Sequence, residues 1–368
     1  MNCFITFATN DTYAISALVL NRTIKKFSSL PQIIIITSQN PNGQKLSKAV
    51  LNQLKADFNY VIEVPLLSSS QNSILYKQMN RPELLCSLTK IHIFNILEYL
   101  PKNFAEKLEL ACFLDADTIV VSEKLEEIFG NGNLNFQNFQ IYAAPEFSWP
   151  DTFNSGVLVF RPRAKIFQDL LNLVEKSSLE EMTAILYDGG DQSLFNHYFQ
   201  NSWGRMSVLY NLPHFLLDGS KNGGYGIEIS SSSGGSSNFA NYGQSNFNPA
   251  FSKFGKNACI IHFLGHNKPW NADLKSSNTD PLVLKWNEIK NLVCQQIFIK
   301  EQEQDQDNKE KSTSGKVGKL TEMVDKNMTV GENYGNHKQN SIGEKVSVES
   351  TEPLTSDDIV SHILDNIK

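Results

Sequence analysis

Short runs of consecutive apolar residues alternate with amphipathic stretches through the first third of the chain. Cys3 to Ala8 predicts one strand, Gln32-Ile33-Ile34-Ile35-Ile36-Thr37 a second and Tyr60 to Leu66 a third. A run that is apolar on both faces belongs inside a parallel sheet covered by helices on each side. Between the first two strands, Thr9-Asn10-Asp11-Thr12 offers capping side chains ahead of Tyr13, Ile15, Leu18 and Leu20, which predicts a helix. Strand, helix, strand, helix, strand is the alternation of a doubly wound α/β sheet. Further along, the pattern predicts a helix from about Ser87 to Tyr99 and an apolar strand within Leu108 to Leu114. Strands at Ile141 to Ala144 and Phe153 to Phe160 follow, then helices over Ala164 to Lys176 and from Asp188-Gly189-Gly190-Asp191-Gln192 through Phe199. Ala258 to Phe263 returns to strand, and Leu282, Trp286, Ile289, Val293 and Ile297 recur at helical spacing.

Two stretches leave this pattern. Residues 218–248 are dominated by Gly, Ser and Asn, which predicts a flexible insertion. From Lys300 to about Pro353 the apolar content is too low to offset the entropy of ordering. The expected organisation is a catalytic domain over 1–275 carrying that insertion and an amphipathic helix over 276–300 packed on it. A disordered linker over 301–355 and a capped, one-faced helix over 356–368 complete it. The terminal helix reads either as a docking element or as part of the core.

The 368 residues carry 33 Lys plus Arg against 39 Asp plus Glu. A mildly acidic chain without a basic stripe is a poor match for nucleic acid or an anionic membrane. The start lacks the charged region and cleavage site of a signal peptide, and no apolar run reaches about 18 residues. A soluble, cytoplasmic protein is the expectation. Cys3, Cys86, Cys112, Cys259 and Cys294 lack C-x-x-C spacing and read as free thiols, several of them buried. In a cytoplasmic chain the sequons at Asn10, Asn21 and Asn327 carry no sugar.

Candidate chemistry centres on Asp115-Ala116-Asp117-Thr118, directly after the strand that ends at Leu114. Two carboxylates at a strand's carboxyl end, where open α/β sheets bind ligands, suit Mg²⁺ or Mn²⁺ holding a phosphate-bearing molecule. A surface turn is the alternative. Asp191 stands at a helix N-terminus, either as a cap or as a carboxylate beside the ligand. Arg81 and Lys90 belong to a solvated helix face or donate to a phosphate or sugar. His262 is a core histidine on an apolar strand or a third metal ligand.

Six segments, in order, resemble the retaining family 8 glycosyltransferases, which have a GT-A fold. They are Phe4 to Tyr13, Lys77 to Leu84, Asp115 to Thr118, Phe153 to Val157, Asp188 to Gln192, and His262-Phe263-Leu264-Gly265 with Lys268-Pro269-Trp270. The resemblance covers about residues 3–272 and is nearest to the branch that glucosylates itself to prime glycogen. It implies a Rossmann-like mixed sheet flanked by helices, UDP-glucose as donor, and Mn²⁺, with Mg²⁺ as the other candidate. By motif position, Asp115, Asp117 and His262 would ligate the metal, with Ala116 against the donor between them. Phe7, Thr9, Asn10 and Tyr13 would hold the uridine, and Arg81, Gly265 and Lys268 the diphosphate. Lys90, Asn154, Ser155, Asp188, Asp191 and Gln192 would surround the glucose. Lys90, Asp188 and Asp191 form the catalytic set, with Asp191 first choice to stabilise or trap an oxocarbenium-like sugar.

Two departures qualify the resemblance. The priming branch carries Tyr-x-Tyr-x-Pro-Ala-Phe before the His-Phe-Leu-Gly strand, whereas this chain reads Ser245-Asn246-Phe247-Asn248-Pro249-Ala250-Phe251. The acceptor tyrosine is displaced or lost; Tyr242 is the first substitute and Tyr225 a weaker one. The C-terminal layout suggests glycogen synthase as partner, although the expected Trp- and Tyr-containing sequence is not there, and the family suggests a homodimer. Transfer to a separate acceptor and a non-catalytic scaffold are the alternative functions.

Overall fold

In the computed structural model, the structure describes residues 1–39, 43–67, 82–132, 134–146, 151–187, 190–214, 257–265, 268–276 and 282–302. The insertion with Tyr225, Tyr242 and Ser245, the residues Arg81 and Asp188, and the tail with its expected linker and terminal helix lie outside them.

Four strands run parallel in the order β3 (Tyr60–Val64), β2 (Gln32–Thr37), β1 (Asn2–Ala8) and β4 (Leu110–Leu114). The apolar run of β2 shows why the sheet is covered on both sides. Ile33 and Ile35 enter one core layer, while Ile34 and Ile36 enter the other. The second layer is closed by α1 (Asp11–Phe27) and α2 (Lys48–Asp57), through Ala14, Ala17 and Leu18 of one and Val50 and Leu54 of the other. Asn10 starts α1 as predicted, its Oδ1 accepting the N–H of Tyr13 at 3.0 Å. The first layer is closed by the helix Pro82–Glu98, α3 (Ala164–Lys176), α4 (Leu179–Ile185) and α5 (Asp191–Phe199).

The helix expected from Ser87 begins five residues earlier, at Pro82, and is wound as a 3₁₀ helix. A proline fits the first turn, where its missing N–H has no partner to lose, so Pro82 opens the helix. A helix over 282–302 carries Leu282, Val283, Trp286, Ile289, Val293 and Ile297 into the second layer, the face that the spacing predicts. Each fully buried aliphatic side chain in that face contributes about 1.5–3 kcal/mol. No helix among the described residues is long and apolar enough to cross a membrane.

Beyond β4 the sheet becomes mixed. β7 (Phe153–Phe160) runs antiparallel to β4, with Leu114 opposite Val157, and β6 (Ile141–Pro145) and β8 (Trp203–Arg205) follow. The start of β7 therefore lies beside the carboxyl end of β4. A second, three-stranded sheet places β10 (Ile260–His262) between β5 (Thr118–Val120) and β9 (Leu212–Pro213). Asp115, Ala116 and Asp117 span the step from the large sheet to the small one. The Asp115 N–H donates to Gly156 O at 2.8 Å, and Thr118 returns both its N–H (3.1 Å) and its hydroxyl (2.7 Å) to Asp115 O.

Candidate active site

Strand pairing alone brings His262 to the acidic pair. His262 is opposite Thr118 in the antiparallel β5–β10 pair, and the Phe263 N–H donates to Asp117 O at 2.9 Å. One side-chain atom each from Asp115, Asp117 and His262 lies within 4.8 Å of the others. His262 Nε2 is 3.2 Å from Asp117 Oδ1 and 3.9 Å from Asp115 Oδ2. Two carboxylate oxygens and an imidazole nitrogen are a donor set that fits Mn²⁺ or Mg²⁺.

Two lysines balance the carboxylates. Lys268 forms an ion pair with Asp117 and also donates to Phe263 O at 2.9 Å. Its loop turns back through Gly265, whose φ of +87° is open to glycine at no steric cost. Trp270 packs edge-on against Tyr13 at 5.3 Å, and Asn287 of the 282–302 helix donates to Pro269 O at 2.8 Å. The late amphipathic helix thus fixes the loop that carries Lys268.

Lys90 lies on the other side of the acidic pair. Its side chain is 4% exposed, and Nζ contacts Asp115 Oδ1 at 2.9 Å, Asp191 Oδ2 at 2.8 Å and Ser155 O at 3.1 Å. The ammonium also stands 4.5 Å from the centre of the Phe113 ring. Burial opposes its charge, but Asp115 and Asp191 outweigh that and hold its pKa above the usual lysine value. Lys90 is therefore no member of a solvated helix face. Asp191 Oδ2 also accepts the Ser155 hydroxyl at 2.8 Å.

The acidic pair is electrostatically divided. Burial pushes the Asp115 carboxyl up, helped by the neighbouring charges of Asp117 and Asp191 and opposed by Lys90 and His262. At Asp117 burial acts in the same sense, but Lys268 and His262 overcome it and hold the carboxyl well below the usual range.

Polar side chains at the start of β7 form the remaining wall. Asn154 Nδ2 donates to Gln192 Oε1 and to Glu146 Oε2, both at 3.0 Å, and Gln192 Nε2 donates to Glu146 Oε2 at 3.0 Å. The Ser155 N–H reaches Gln192 Oε1 at 3.2 Å. Gly156 completes the segment: a Cβ built there would lie 2.2 Å from His262 Cε1, so only glycine leaves room for the ring.

The structure thus gathers Lys90, Asp115, Asp117, Asn154, Ser155, Asp191, Gln192, His262 and Lys268 into one connected network of ion pairs and hydrogen bonds, with Asn211 as the link between Asn154 and His262. Thr9, Asn10 and Tyr13 lie at the start of α1, with Tyr13 against Trp270. The Asn10 side chain serves as a helix cap, and Phe7 packs against the first core layer. Ala116 is buried, its carbonyl accepting the Ser16 hydroxyl at 2.7 Å. Sequence reasoning missed Glu146, Asn211 and Asn287. Each is a single polar residue outside any motif, with no spacing signal to reveal it. The cysteines are free as expected: Cys3, Cys86, Cys112 and Cys259 are buried and Cys294 partly so.

Against known proteins, the family model described as Glycosyl transferase family 8 matches residues 4–273. Glycogenin-1 of Mus musculus is 32% identical over 281 residues, covering 75% of this chain and 69% of its own length. Glycogenin-2 of Homo sapiens is 33% identical over 269 residues, covering 73% of this chain but 43% of its own. Among solved structures, the glycosyltransferase GlyE of Streptococcus pneumoniae TIGR4 aligns over 81% of this chain and 64% of its own, with a TM-score of 0.48 at 18% identity.

Proposed function

We propose, from the premise that this chain belongs to the family 8 glycosyltransferases, that it is a Mn²⁺-dependent glucosyltransferase using UDP-glucose to build a short α-glucan on itself as a glycogen primer. That it is a retaining glycosyltransferase follows from the family; donor, metal and acceptor are the proposal. The observation that carries it is the Lys90 bridge. One buried ammonium joins a carboxylate of the metal-ligand set, Asp115, to the carboxylate meant for the sugar, Asp191.

In this reading Asp115, Asp117 and His262 hold the cation. When bound, a divalent ion neutralises negative charge on a leaving diphosphate. Lys268, whose ammonium stands at Asp117, adds positive charge on the same side, and Gly265 and Arg81 complete the diphosphate-binding set in this proposal. Thr9, Asn10, Tyr13 and Phe7 receive the uridine. On the sugar side, the Lys90 ammonium and the Ser155 hydroxyl both reach one oxygen of Asp191 and fix the carboxylate in place. A carboxylate there stabilises or traps a positively charged sugar. Asn154 and Gln192 orient glucose hydroxyls, and Asp188 is the second choice for the carboxylate role. A cytoplasmic location, a homodimer and glycogen synthase as partner of the 356–368 helix belong to the same reading.

A second reading moves the acceptor to another molecule, because Ser245 stands where the priming branch has its tyrosine. Intact mass after incubation with UDP-glucose and Mn²⁺ separates the two. A series of hexose additions is expected, and its loss in Tyr242→Phe would identify the acceptor. An unmodified protein that releases UDP only when a sugar or glucan is added would refute self-transfer.

A further inference from the structure

A line of hydrogen bonds crosses the crevice from the sugar side to the metal side, and its polarity is set by groups that have no choice of role. Glu146 Oε2 accepts from the Asn154 and Gln192 NH₂ groups at 3.0 Å each, and the Ser155 N–H on Gln192 Oε1 at 3.2 Å holds Gln192 in that orientation. The other end of the Asn154 amide, Oδ1, accepts the backbone N–H of Gly156 at 3.0 Å. Two independent groups therefore orient Asn154, one a fixed acceptor and one a fixed donor. Asn211 lies immediately before β9 and is 5% exposed. It must turn its NH₂ to Asn154 Oδ1, at 2.8 Å, which leaves its oxygen facing His262 Nδ1 at 2.9 Å. An amide oxygen accepts, so Nδ1 carries the hydrogen. The other ring nitrogen, Nε2, then offers its lone pair on the side where Asp115 and Asp117 stand.

We propose that Asn211 is a positioning residue that fixes His262 as the Nδ1–H tautomer, so that Nε2 is presented to a divalent cation held with Asp115 and Asp117. This rests on the metal reading above and names the group that completes it. A histidine that ligates a metal through one nitrogen usually donates the other N–H to an acceptor, and removing that acceptor weakens metal binding by about 10–100-fold. Here the acceptor is an amide whose direction is inherited, through Asn154, from Gly156 and Glu146. The same atoms line the sugar side, so a single rigid chain ties the sugar-facing amides to the metal-facing imidazole.

The test is Mn²⁺ binding to the full chain by isothermal titration, without donor, for wild type, Asn211→Leu and Asn211→Asp. Leucine removes the acceptor for Nδ1–H. Aspartate keeps an acceptor there but cannot donate to Asn154. The expected result is a loss of about 10–100-fold in Asn211→Leu and an affinity within about threefold of wild type in Asn211→Asp. Thermal unfolding of the metal-free variants checks that each is folded. If leucine does not fold, Asn211→Ala takes its place. Equal losses in both variants would mean that Asn211 acts only through packing and would overturn the proposal, as would wild-type affinity in the leucine variant. Absence of Mn²⁺ binding in wild type itself would overturn the metal reading and this inference with it. A second readout is isotope-labelled histidine NMR of the Mg²⁺-loaded protein, with His262→Gln assigning the resonance. A hydrogen on Nδ1 supports the assignment, and a hydrogen on Nε2 contradicts it.

Discussion

Gly156→Ala adds one carbon where the backbone of β7 faces the His262 ring. The added Cβ would lie 2.2 Å from His262 Cε1, 2.6 Å from Nδ1 and 2.9 Å from Asn154 Oδ1, where ordinary contact starts at 3.4 Å. Relieving the shortest of these moves the ring by about 1.2 Å, and a metal–ligand distance tolerates only about 0.2 Å. The imidazole is buried and contacts Asn211 at 2.9 Å and Asp117 at 3.2 Å, so little of the shift can be absorbed elsewhere. Mn²⁺ affinity is expected to fall at least tenfold, about 1.4 kcal/mol, while overpacking costs about 1–3 kcal/mol of stability. Gly204→Ala supplies the control. Its Cβ would meet the Tyr142 ring at 2.3 Å, a comparable clash on β8, away from the acidic pair. Calorimetric Mn²⁺ titration and thermal unfolding of both variants decide the matter. Both should be destabilised, but only Gly156→Ala should bind the metal poorly. Wild-type Mn²⁺ affinity in Gly156→Ala would refute the placement of His262 in the metal site.

Lys90→Met removes the cation between Asp115 and Asp191, and breaking a buried pair in this way costs about 3–5 kcal/mol. Added Mn²⁺ should raise the melting temperature of this variant more than that of wild type, because the cation relieves the repulsion that lysine had offset; equal shifts would contradict this. Burial lowers the His92 pKa from 6.5 to about 4, so the unfolded chain binds the extra proton first as pH falls. Stability should therefore decline between about pH 6.5 and pH 4, by up to about 3 kcal/mol, and denaturant titrations of His92→Phe should show a flatter profile over that window.

The parts of the fold that were legible are those where apolar spacing leaves one solution. The four isoleucines of β2 divide two and two between the core layers, and the 282–302 helix buries the residues that its spacing marks. Strands of two or three residues, β5, β8 and β9, are too short to carry a period, yet they build the small sheet and the edge of the large one. Helix α4 was missed although its signature is present: Ser178 and Glu181 form a reciprocal capping box. At the site, the D-x-D and His262 are readable as residue types, but their convergence depends on the antiparallel β5–β10 pairing. Lys90 left a choice between solvent and ligand. The structure gives a third arrangement, a buried ammonium shared by two carboxylates. Glu146 and Asn211 are invisible in sequence because each acts through a side chain distant along the chain, 46 residues from Gln192 in one case and 51 from His262 in the other.

On the proposed reading, Asp115, Asp117 and His262 hold a divalent cation against a nucleotide sugar. UDP release from UDP-glucose by metal-depleted protein, measured before and after addition of Mn²⁺, tests it most directly. Release should depend on Mn²⁺ in wild type and be lost in Asp117→Asn at the same Mn²⁺ concentration. Equal release with and without the metal, or an Asp117→Asn variant as active as wild type, would contradict the account.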